Sequence, residues 1–136
     1  TAGRIYARTG GVSEAVQSTL NRLSPNRKIP LRATQANGVV ECKRLLKEIR
    51  EGNIKANFME GMGCVGGCVG GPKAIIPYTE GTGHVNEYGD LATYRTPIDN
   101  PHVIEILHEL GFDTVSDLLE RDNIFIRNFS ANTLKK

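Results

Sequence analysis

Two cysteines in a glycine-rich segment are the residues of this chain best suited to chemistry. Cys64 and Cys68 lie four positions apart, and six of the 15 glycines surround them between Glu60 and Lys73. Glycine loses more backbone freedom on folding than other residues, so we expect a close approach to a ligand rather than internal packing to explain this cluster. Thiolates are soft metal ligands. The segment predicts half of an iron–sulfur site, because a cubane cluster takes four ligands and two are supplied here.

Length and composition are those of an ordinary globular protein. The chain has 136 residues, 39% of them hydrophobic and 24% charged, which predicts a single domain over residues 1–136. A net charge of +2 and few aromatic residues give no indication of nucleic-acid binding. No apolar run approaches the roughly 20 residues of a membrane span. Three cysteines without a signal peptide favour a reducing, cytoplasmic location. Because it starts at Thr1, we expect a chain that is processed or cut from something longer.

Apolar periodicity predicts an α/β fold with a small, mostly parallel sheet and flanking helices. The predicted elements are a strand-like lead-in at 4–7, a helix over 12–23, a strand at 29–33, a helix between Asn37 and Gly52, and a strand at 54–59. The strand–helix–strand order indicates a right-handed βαβ unit with parallel strands. Its second strand leads into the cysteine segment, at the position where open α/β sheets bind ligands.

The remainder of the chain is predicted to contain a long loop and two helices. Residues 77–97 are polar and glycine-bearing, which indicates a loop. Helices are predicted over 100–121, the first from Asn100-Pro101 to Gly111 and the second capped by Asp113 or Thr114. The buried face of the first is assigned to Val103, Ile104, Leu107 and Leu110. Apolar residues at 124–129 need a covering surface.

Other chemistry of the cysteines fits less well. A zinc site wants four ligands, and His84 offers a third with no evident fourth. Gly71 stands where a radical-SAM motif has its third cysteine, and a dithiol redox pair has two residues between its sulfurs rather than three. Two inert thiols in a tight turn are the simplest alternative. Cys42 lies on the apolar stripe of its helix, with Val39, Leu46 and Ile49, and is predicted to be a core thiol.

Three further patterns carry weaker signals. Residues 61–66 read G-x-G-x-x-G, but Gly67, Gly70 and Pro72 argue against the helix that dinucleotide binding needs. Gly10 and Gly11 precede a helix whose N-terminal N–H groups suit an anion such as a cluster, and an ordinary helix entry explains them equally. A solvated helix face explains the triad His102, Glu105 and His108.

The cysteine segment and two earlier stretches resemble one family. Residues 60–71 read EGMGCVGGCVGG and resemble the last signature motif of [FeFe] hydrogenase large subunits, E-x-M-A-C-x-G-G-C-x-x-G-G-G-Q. Residues 6–15, YARTGGVSEA, are similar to that family's F-G-A-T-G-G-V-M-E-A segment. Residues 40–58 look like the helix and strand that precede the motif. The resemblance covers roughly residues 3–77.

The resemblance implies an iron–sulfur active site. Cys64 corresponds to a ligand of the 4Fe–4S cubane cluster, and Cys68 to the ligand that also bridges to a di-iron subsite. Met62 matches the methionine that packs against the di-iron unit. Gly66, Gly67, Gly10 and Gly11 are assigned to cofactor binding. The implied reaction is reversible reduction of protons to dihydrogen.

The chain departs from the family pattern in ways that matter for function. The motifs T-S-C-C-P and P-C-x-x-K-x-x-E, which supply the other cubane cysteines, are absent. Pro72-Lys73 follows Gly71 where the family motif ends in Gly-Gly-Gln, and Gly63 replaces alanine. We therefore expect a C-terminal piece of an iron-only hydrogenase-type protein that by itself holds no cofactor. Its expected partners are the missing N-terminal part, a ferredoxin-type electron carrier and another copy of the chain through an exposed interface. The alternative is a non-catalytic relative with a cubane cluster only, in cluster assembly, electron transfer or redox sensing.

Overall fold

The computed structural model describes residues 1–121. Within them five α-helices and two β-strands follow one another as α1 Gly11–Leu23, β1 Ala33–Asn37, α2 Val39–Arg50, β2 Phe58–Met62, α3 Tyr78–Asp90, α4 Pro101–Glu109 and α5 Val115–Glu120. The strands form one parallel two-stranded sheet. The chain divides into two compact units, Thr1–Asp99 and a second that starts at Asn100. This mixture of helices and parallel strands confirms the predicted α/β class.

The predicted strand–helix–strand unit is present, but both of its strands start four residues late. β1 pairs in parallel with β2 from Ala33↔Phe58 to Asn37↔Met62. Asn57 joins the two segments that lead into these strands. Its Oδ1 accepts from Arg32 N at 2.7 Å, and its Nδ2 donates to Pro30 O at 3.0 Å. Pro30 has no N–H for a ladder. Residues 29–32 and 54–57 are therefore connected by side-chain bonds, which the apolar pattern did not reveal.

The predicted strand at residues 4–7 is wrong. These residues form consecutive turns, in which Arg8 N donates to Ile5 O and Gly11 N donates to Arg8 O at 3.0 Å. Ile5 is only 3% exposed, so the segment folds against the protein interior. Its ladder contact is a single antiparallel bridge between Arg8 and Gly67. The apolar residue that suggested a strand, Ile5, is therefore buried from within a turn rather than from a strand.

The predicted loop at 77–97 is also wrong, because α3 occupies most of it. The glycines that indicated a loop allow close helix packing instead. A Cβ on Gly89 would lie 2.7 Å from Ile5 Cγ2, and one on Gly81 would lie 3.1 Å from Val69 Cβ. Arg4 donates to Tyr88 O at 3.0 Å, and its guanidinium lies 4.3 Å from the centre of the Tyr88 ring. Tertiary contacts stabilise a helix that its own composition disfavours.

The remaining helices largely follow the sequence pattern. α1 covers the predicted range, Asn100 Oδ1 accepts from His102 N at 3.1 Å, and Thr114 caps α5 by accepting from Asp117 N at 3.0 Å. Leu107 is buried, but Leu110 is 65% exposed, so its predicted burial is wrong. The apolar residues at 124–129 lie outside the described residues. Across residues 1–121, no helix is long and apolar enough to cross a membrane.

The prediction that α2 buries an apolar stripe is wrong for the described part of the chain, which buries no residue of this helix. Of the predicted stripe, Val39 is 54% and Leu46 65% exposed. The helix begins after Gly38, which has a φ of +95°, and not at the predicted cap Asn37. The Asn37 side chain is engaged elsewhere.

Candidate functional site

The cysteine loop, residues 63–73, leaves the carboxyl end of β2 immediately after Met62. Cys64 is half-buried, and Cys68 is exposed at the start of the 3₁₀ turn Cys68–Gly70. Carboxyl ends of parallel strands are where α/β sheets place ligand sites. The structure thus puts both cysteines at the sheet end where the sequence predicted them.

Residues 7–9 hold the cysteine loop through its main chain. Thr9 N donates to Gly66 O at 3.0 Å, and Val69 N donates to Ala7 O at 3.1 Å. Gly67 has a φ of +88°, and a Cβ there would lie 2.8 Å from both Ala7 O and Thr9 N. Only glycine permits this approach without strain. The loop conformation is consequently defined by protein contacts.

Internal packing accounts for three of the loop glycines, contrary to the expectation that it would not. A Cβ on Gly66 would lie 2.6 Å from the Tyr78 ring, and one on Gly70 would lie 1.8 Å from Val65 O. The amides of Gly66 and Gly67 donate to Asn37 Oδ1 at 2.6 Å and to Cys64 O at 3.0 Å. Both N–H groups are therefore already used within the protein, and a cofactor role for these glycines stays a prediction.

Glu60 lies inside β2 and closes the N-terminus of α1. Its carboxylate accepts from Gly10 N and Ser13 N, each at 2.8 Å, and from Ser13 Oγ at 2.6 Å. The residue is only 5% exposed. Main-chain donors and the positive end of the helix dipole compensate the buried negative charge. The anion at this helix end is therefore the protein's own carboxylate.

This arrangement corrects the prediction that Gly10 and Gly11 present amides to a cluster. The Gly10 amide donates to Glu60 and the Gly11 amide to Arg8 O at 3.0 Å. A Cβ on Gly11 would lie 1.8 Å from Ile5 O, so close packing requires that glycine. The ordinary helix entry is the better explanation of this pair.

Asn37 performs a similar function at the end of β1. Its Oδ1 accepts from Thr9 Oγ1 at 2.9 Å and from Gly66 N at 2.6 Å. One amide oxygen thus joins the strand end, the 7–9 segment and the cysteine loop. Sequence reasoning missed Asn37 and Glu60; the signal available for Glu60 was a charged residue inside a strand of the cysteine motif.

Met62 and Cys42 lie beside the same strand end. Met62 is half-buried, and its carbonyl accepts from Gly38 N at 2.8 Å. The half-buried Cys42 thiol faces Met62 O at 3.5 Å and Ala36 O at 3.8 Å, as expected of a packed thiol. Neither contact brings Cys42 into the cysteine loop.

A cavity of about 550 Å³ lies next to Cys68. Its wall is mainly apolar and includes Val69, Pro72, Ile75 and Ile76, with Lys73 as its charged member. His84, considered as a third ligand, is exposed on α3. Over the described residues, no three His, Cys, Asp or Glu side chains come together as a metal site. Two cysteines do not complete the four ligands of a cubane cluster, so this chain alone does not fit the group.

The family model for the iron-only hydrogenase large subunit, C-terminal domain, matches residues 1–72. The chain belongs to this family. The matched region contains α1, the βαβ unit and nearly the whole cysteine loop of this hydrogenase-family chain. It ends before α3, although α3 packs against the loop through Tyr78. A search of curated proteins gives no match.

Proposed function

We propose that this hydrogenase-family chain supplies a cluster-binding loop, with Cys64 and Cys68 as thiolate ligands of an iron–sulfur cluster. The observation that carries the proposal is the position of the two cysteines. They lie on a loop held by residues 7–9 and Asn37, directly after a strand anchored by Glu60. A loop fixed in this way presents ligands without the cost of ordering them at each binding event.

The finer assignment follows the family pattern. Cys64 is proposed as a ligand of the 4Fe–4S cluster and Cys68 as the ligand shared with a di-iron subsite. Met62 is proposed to pack against that subsite. The remaining ligands come from outside this chain, because Cys42 is its one other cysteine and its thiol faces main-chain carbonyls.

The proposed reaction of the complete cytoplasmic protein is reversible reduction of protons to dihydrogen. Two protons and two electrons give one dihydrogen molecule, and a ferredoxin-type carrier that transfers one electron at a time supplies the two electrons in two encounters. The bound metal cofactor supplies the redox chemistry. The residues of this chain hold the thiolates in place and shield the half-buried Cys64 from water.

A second candidate function is non-catalytic, with a cubane cluster that serves cluster assembly, electron transfer or redox sensing. The observation that favours it is Lys73, which lines the cavity beside Cys68 at a position where the family motif carries no charge. A cation at this position changes the charge next to the bridging ligand. The two candidates therefore make different predictions for the di-iron subsite.

Substitution of Cys68 in the complete holoprotein tests the assignment. We expect Cys68→Ala to abolish hydrogen evolution and to change the iron content and EPR spectrum, while Cys42→Ala, the matched control, retains both. Hydrogen evolution by Cys68→Ala at the wild-type rate would exclude the bridging role. A wild-type protein with a cubane EPR signal but no hydrogen evolution would support the second candidate.

A further inference from the structure

Arg8 lies against the cysteine loop through its main chain. It forms an antiparallel bridge with Gly67, the residue directly before Cys68. A Cβ on Gly67 would lie 2.9 Å from the carbonyl carbon of Arg8, so the two main chains are in close contact. A displacement of Arg8 is therefore a displacement of the loop beside Cys68.

The Arg8 side chain contacts two helices at once. Its Nε donates to Asn86 Oδ1 on α3 at 2.5 Å, and its Nη2 donates to the carboxylate of Glu14 on α1. Its Nη1 donates to Thr9 O at 3.4 Å. The side chain is only 14% exposed. Because a planar guanidinium holds its donors in a fixed geometry, these bonds define where α1, α3 and residues 7–9 lie relative to one another.

Local electrostatics do not explain an arginine at this position. Arg8 Nη1 lies 3.6 Å from the Cβ position of Gly10, the N-cap of α1, where a cation opposes the helix dipole. Glu14 compensates this charge, but it is 54% exposed, and such an ion pair contributes little to stability. The family segment F-G-A-T-G-G-V-M-E-A has alanine here, whose side chain is too short to reach α3. The contact that distinguishes Arg8 is the bond to Asn86.

Helix α3 contacts the cysteine loop directly as well as through Arg8. At the start of the helix, the Tyr78 ring lies 2.6 Å from the Cβ position of Gly66. Further along the helix, Asn86 bonds to Arg8. The helix lies outside residues 1–72, the region that the family model matches. The loop, Arg8 and α3 thus form a closed ring of contacts.

We propose that Arg8 is a positioning residue that couples α3 to the cysteine loop and keeps Cys64 shielded. The inference rests on the proposed function, in which Cys64 is a cluster ligand. The bond to Asn86 holds the guanidinium from the side of α3, and the bridge to Gly67 transmits this constraint to the loop. When the bond to Asn86 is lost, the loop opens more often and exposes Cys64.

The three cysteines of the cofactor-free full chain report on this coupling. Cys64 is half-buried in the loop, Cys68 is exposed in the same loop, and Cys42 is half-buried on α2. Alkylation by iodoacetamide is followed at each cysteine by tandem mass spectrometry. The rate at Cys64 divided by the rate at Cys68, the loop ratio, measures opening of the loop. The Cys42 rate and the thermal midpoint measure general loss of structure.

Two single substitutions remove the bond between Arg8 and Asn86 from opposite sides. Arg8→Lys keeps a cation for Glu14 but cannot donate to Glu14 and Asn86 together. Asn86→Ala removes the acceptor at an exposed position. The matched control is Asn21→Ala, which removes the acceptor of a comparable bond, from Arg27 Nη2 at 2.9 Å, near the other end of α1. The double variant of Arg8 and Asn86 measures the coupling.

We expect Arg8→Lys and Asn86→Ala each to raise the loop ratio about fivefold or more, because each removes a hydrogen bond to a charged group. The double variant should give the same ratio as either single variant, since both substitutions remove one and the same bond. The loop ratio of the control variant, and the Cys42 rate in every variant, stay within about twofold of wild type.

Three outcomes would overturn the positioning role. They are an unchanged loop ratio in either single variant, additive effects in the double variant, and equal rises at Cys42 and Cys64 with a lower thermal midpoint, which would show general destabilisation. The proposed function fails separately. If the coupling is found but Cys68→Ala in the complete holoprotein evolves hydrogen at the wild-type rate, the positioning role holds and the ligand assignment is wrong.

Discussion

Glu60 is a charged residue in the interior of a small protein, and its three hydrogen bonds explain why it is tolerated there. A buried carboxylate without donors is strongly destabilising. Here the donors come from Gly10 and Ser13, about fifty residues earlier in the chain. The same contacts fix the start of α1, and with it residues 7–9, relative to β2. Glu60 therefore determines the distance between the cysteine loop and the segment that supports it.

We predict that Glu60→Ala lowers the free energy of unfolding by about 3 kcal/mol, because it leaves buried main-chain N–H groups without a hydrogen-bond acceptor. Glu60→Gln keeps the size but turns an amide N–H₂ toward Gly10 N or Ser13 N, and is expected to cost about 2 kcal/mol. The measurement is urea denaturation followed by circular dichroism. The exposed Glu87→Ala serves as control and should stay within about 0.5 kcal/mol of wild type. Equal stability of the Glu60 and Glu87 variants would contradict the assigned role.

Asp99 gives a prediction about pH. The hydrogen bond from Thr96 Oγ1, at 2.6 Å, and then that from Arg22 Nε, at 2.9 Å, hold the pKa of Asp99 below its ordinary value of 3.8. Because this pKa is lowered on folding, the contribution to stability is fully present above pH 3.8 and is lost as the pH falls through the folded-state pKa.

Substitution of the two donors tests this linkage. We expect Thr96→Val and Arg22→Gln each to raise the pKa of Asp99 toward its ordinary value in an NMR titration of its carboxyl carbon. The stability difference from wild type should be largest above pH 3.8 and should shrink in more acidic solution. Arg44→Gln, which removes a distant ion pair with Glu48, leaves this pKa unchanged. A pKa that does not respond to either donor would refute the explanation.

At the scale of elements, the cysteine loop contains glycines that packing requires and one glycine that packing does not require. Gly66 has a φ of +89°, and a Cβ there would lie 2.6 Å from the Tyr78 ring. Gly63 has no positive φ, and no other described atom lies within 4 Å of its Cβ position. The two positions are three residues apart in one loop, so they form a matched pair for substitution.

We predict that Gly66→Ala lowers the free energy of unfolding by more than about 2 kcal/mol, since it adds both backbone strain and a clash with Tyr78. Gly63→Ala should change it by no more than about 0.5 kcal/mol. Thermal denaturation of both variants measures the difference, and hydrogen exchange at the Val69 amide reports loss of its bond to Ala7. If both alanines were tolerated equally, the packed-loop description would be wrong.

The elements also show which parts of the fold local sequence patterns can predict. α1, α4 and α5 follow from local signals, such as the Asn100 and Thr114 caps. α3 does not, because Gly81 and Gly89 lower its helix propensity and only their contacts with Val69 and Ile5 explain them. The predicted starts of both strands are wrong for a related reason. The Asn57 side chain connects the segments that lead into the strands, and no local pattern encodes a partner 25 residues away.

At the scale of the molecule, the chain has a small core. Among the described residues no large side chain is fully buried, and the buried apolar residues of the first unit are Ala2, Ile5, Ala15 and Ala36. A two-stranded sheet needs further packing to be stable. Large apolar side chains such as Ile75 and Val40 are exposed instead. These surfaces are available to the partners proposed above.

The ligand count gives a prediction for the whole molecule. Of the three cysteines, Cys42 lies on α2 with its thiol facing Met62 O, which leaves two thiolates for a cluster that needs four ligands. We expect the chain of residues 1–136, reconstituted anaerobically with iron and sulfide, to retain iron well below four atoms per chain, with no 4Fe–4S EPR signal after reduction. Iron analysis after gel filtration measures this. A stoichiometric cubane cluster on a monomer would show that other residues complete the ligand set.

The sequence by itself determined the family, because the cysteine spacing, the glycines around it and two earlier stretches carry the resemblance to hydrogenases. It also determined the parallel βαβ unit, because apolar periodicity and caps are local properties. Only the tertiary structure decided what the glycines and polar residues do. Glu60, Asn37 and Gly66 act through partners about thirty to fifty residues away. Such contacts depend on how segments meet in space, which spacing along the chain does not record.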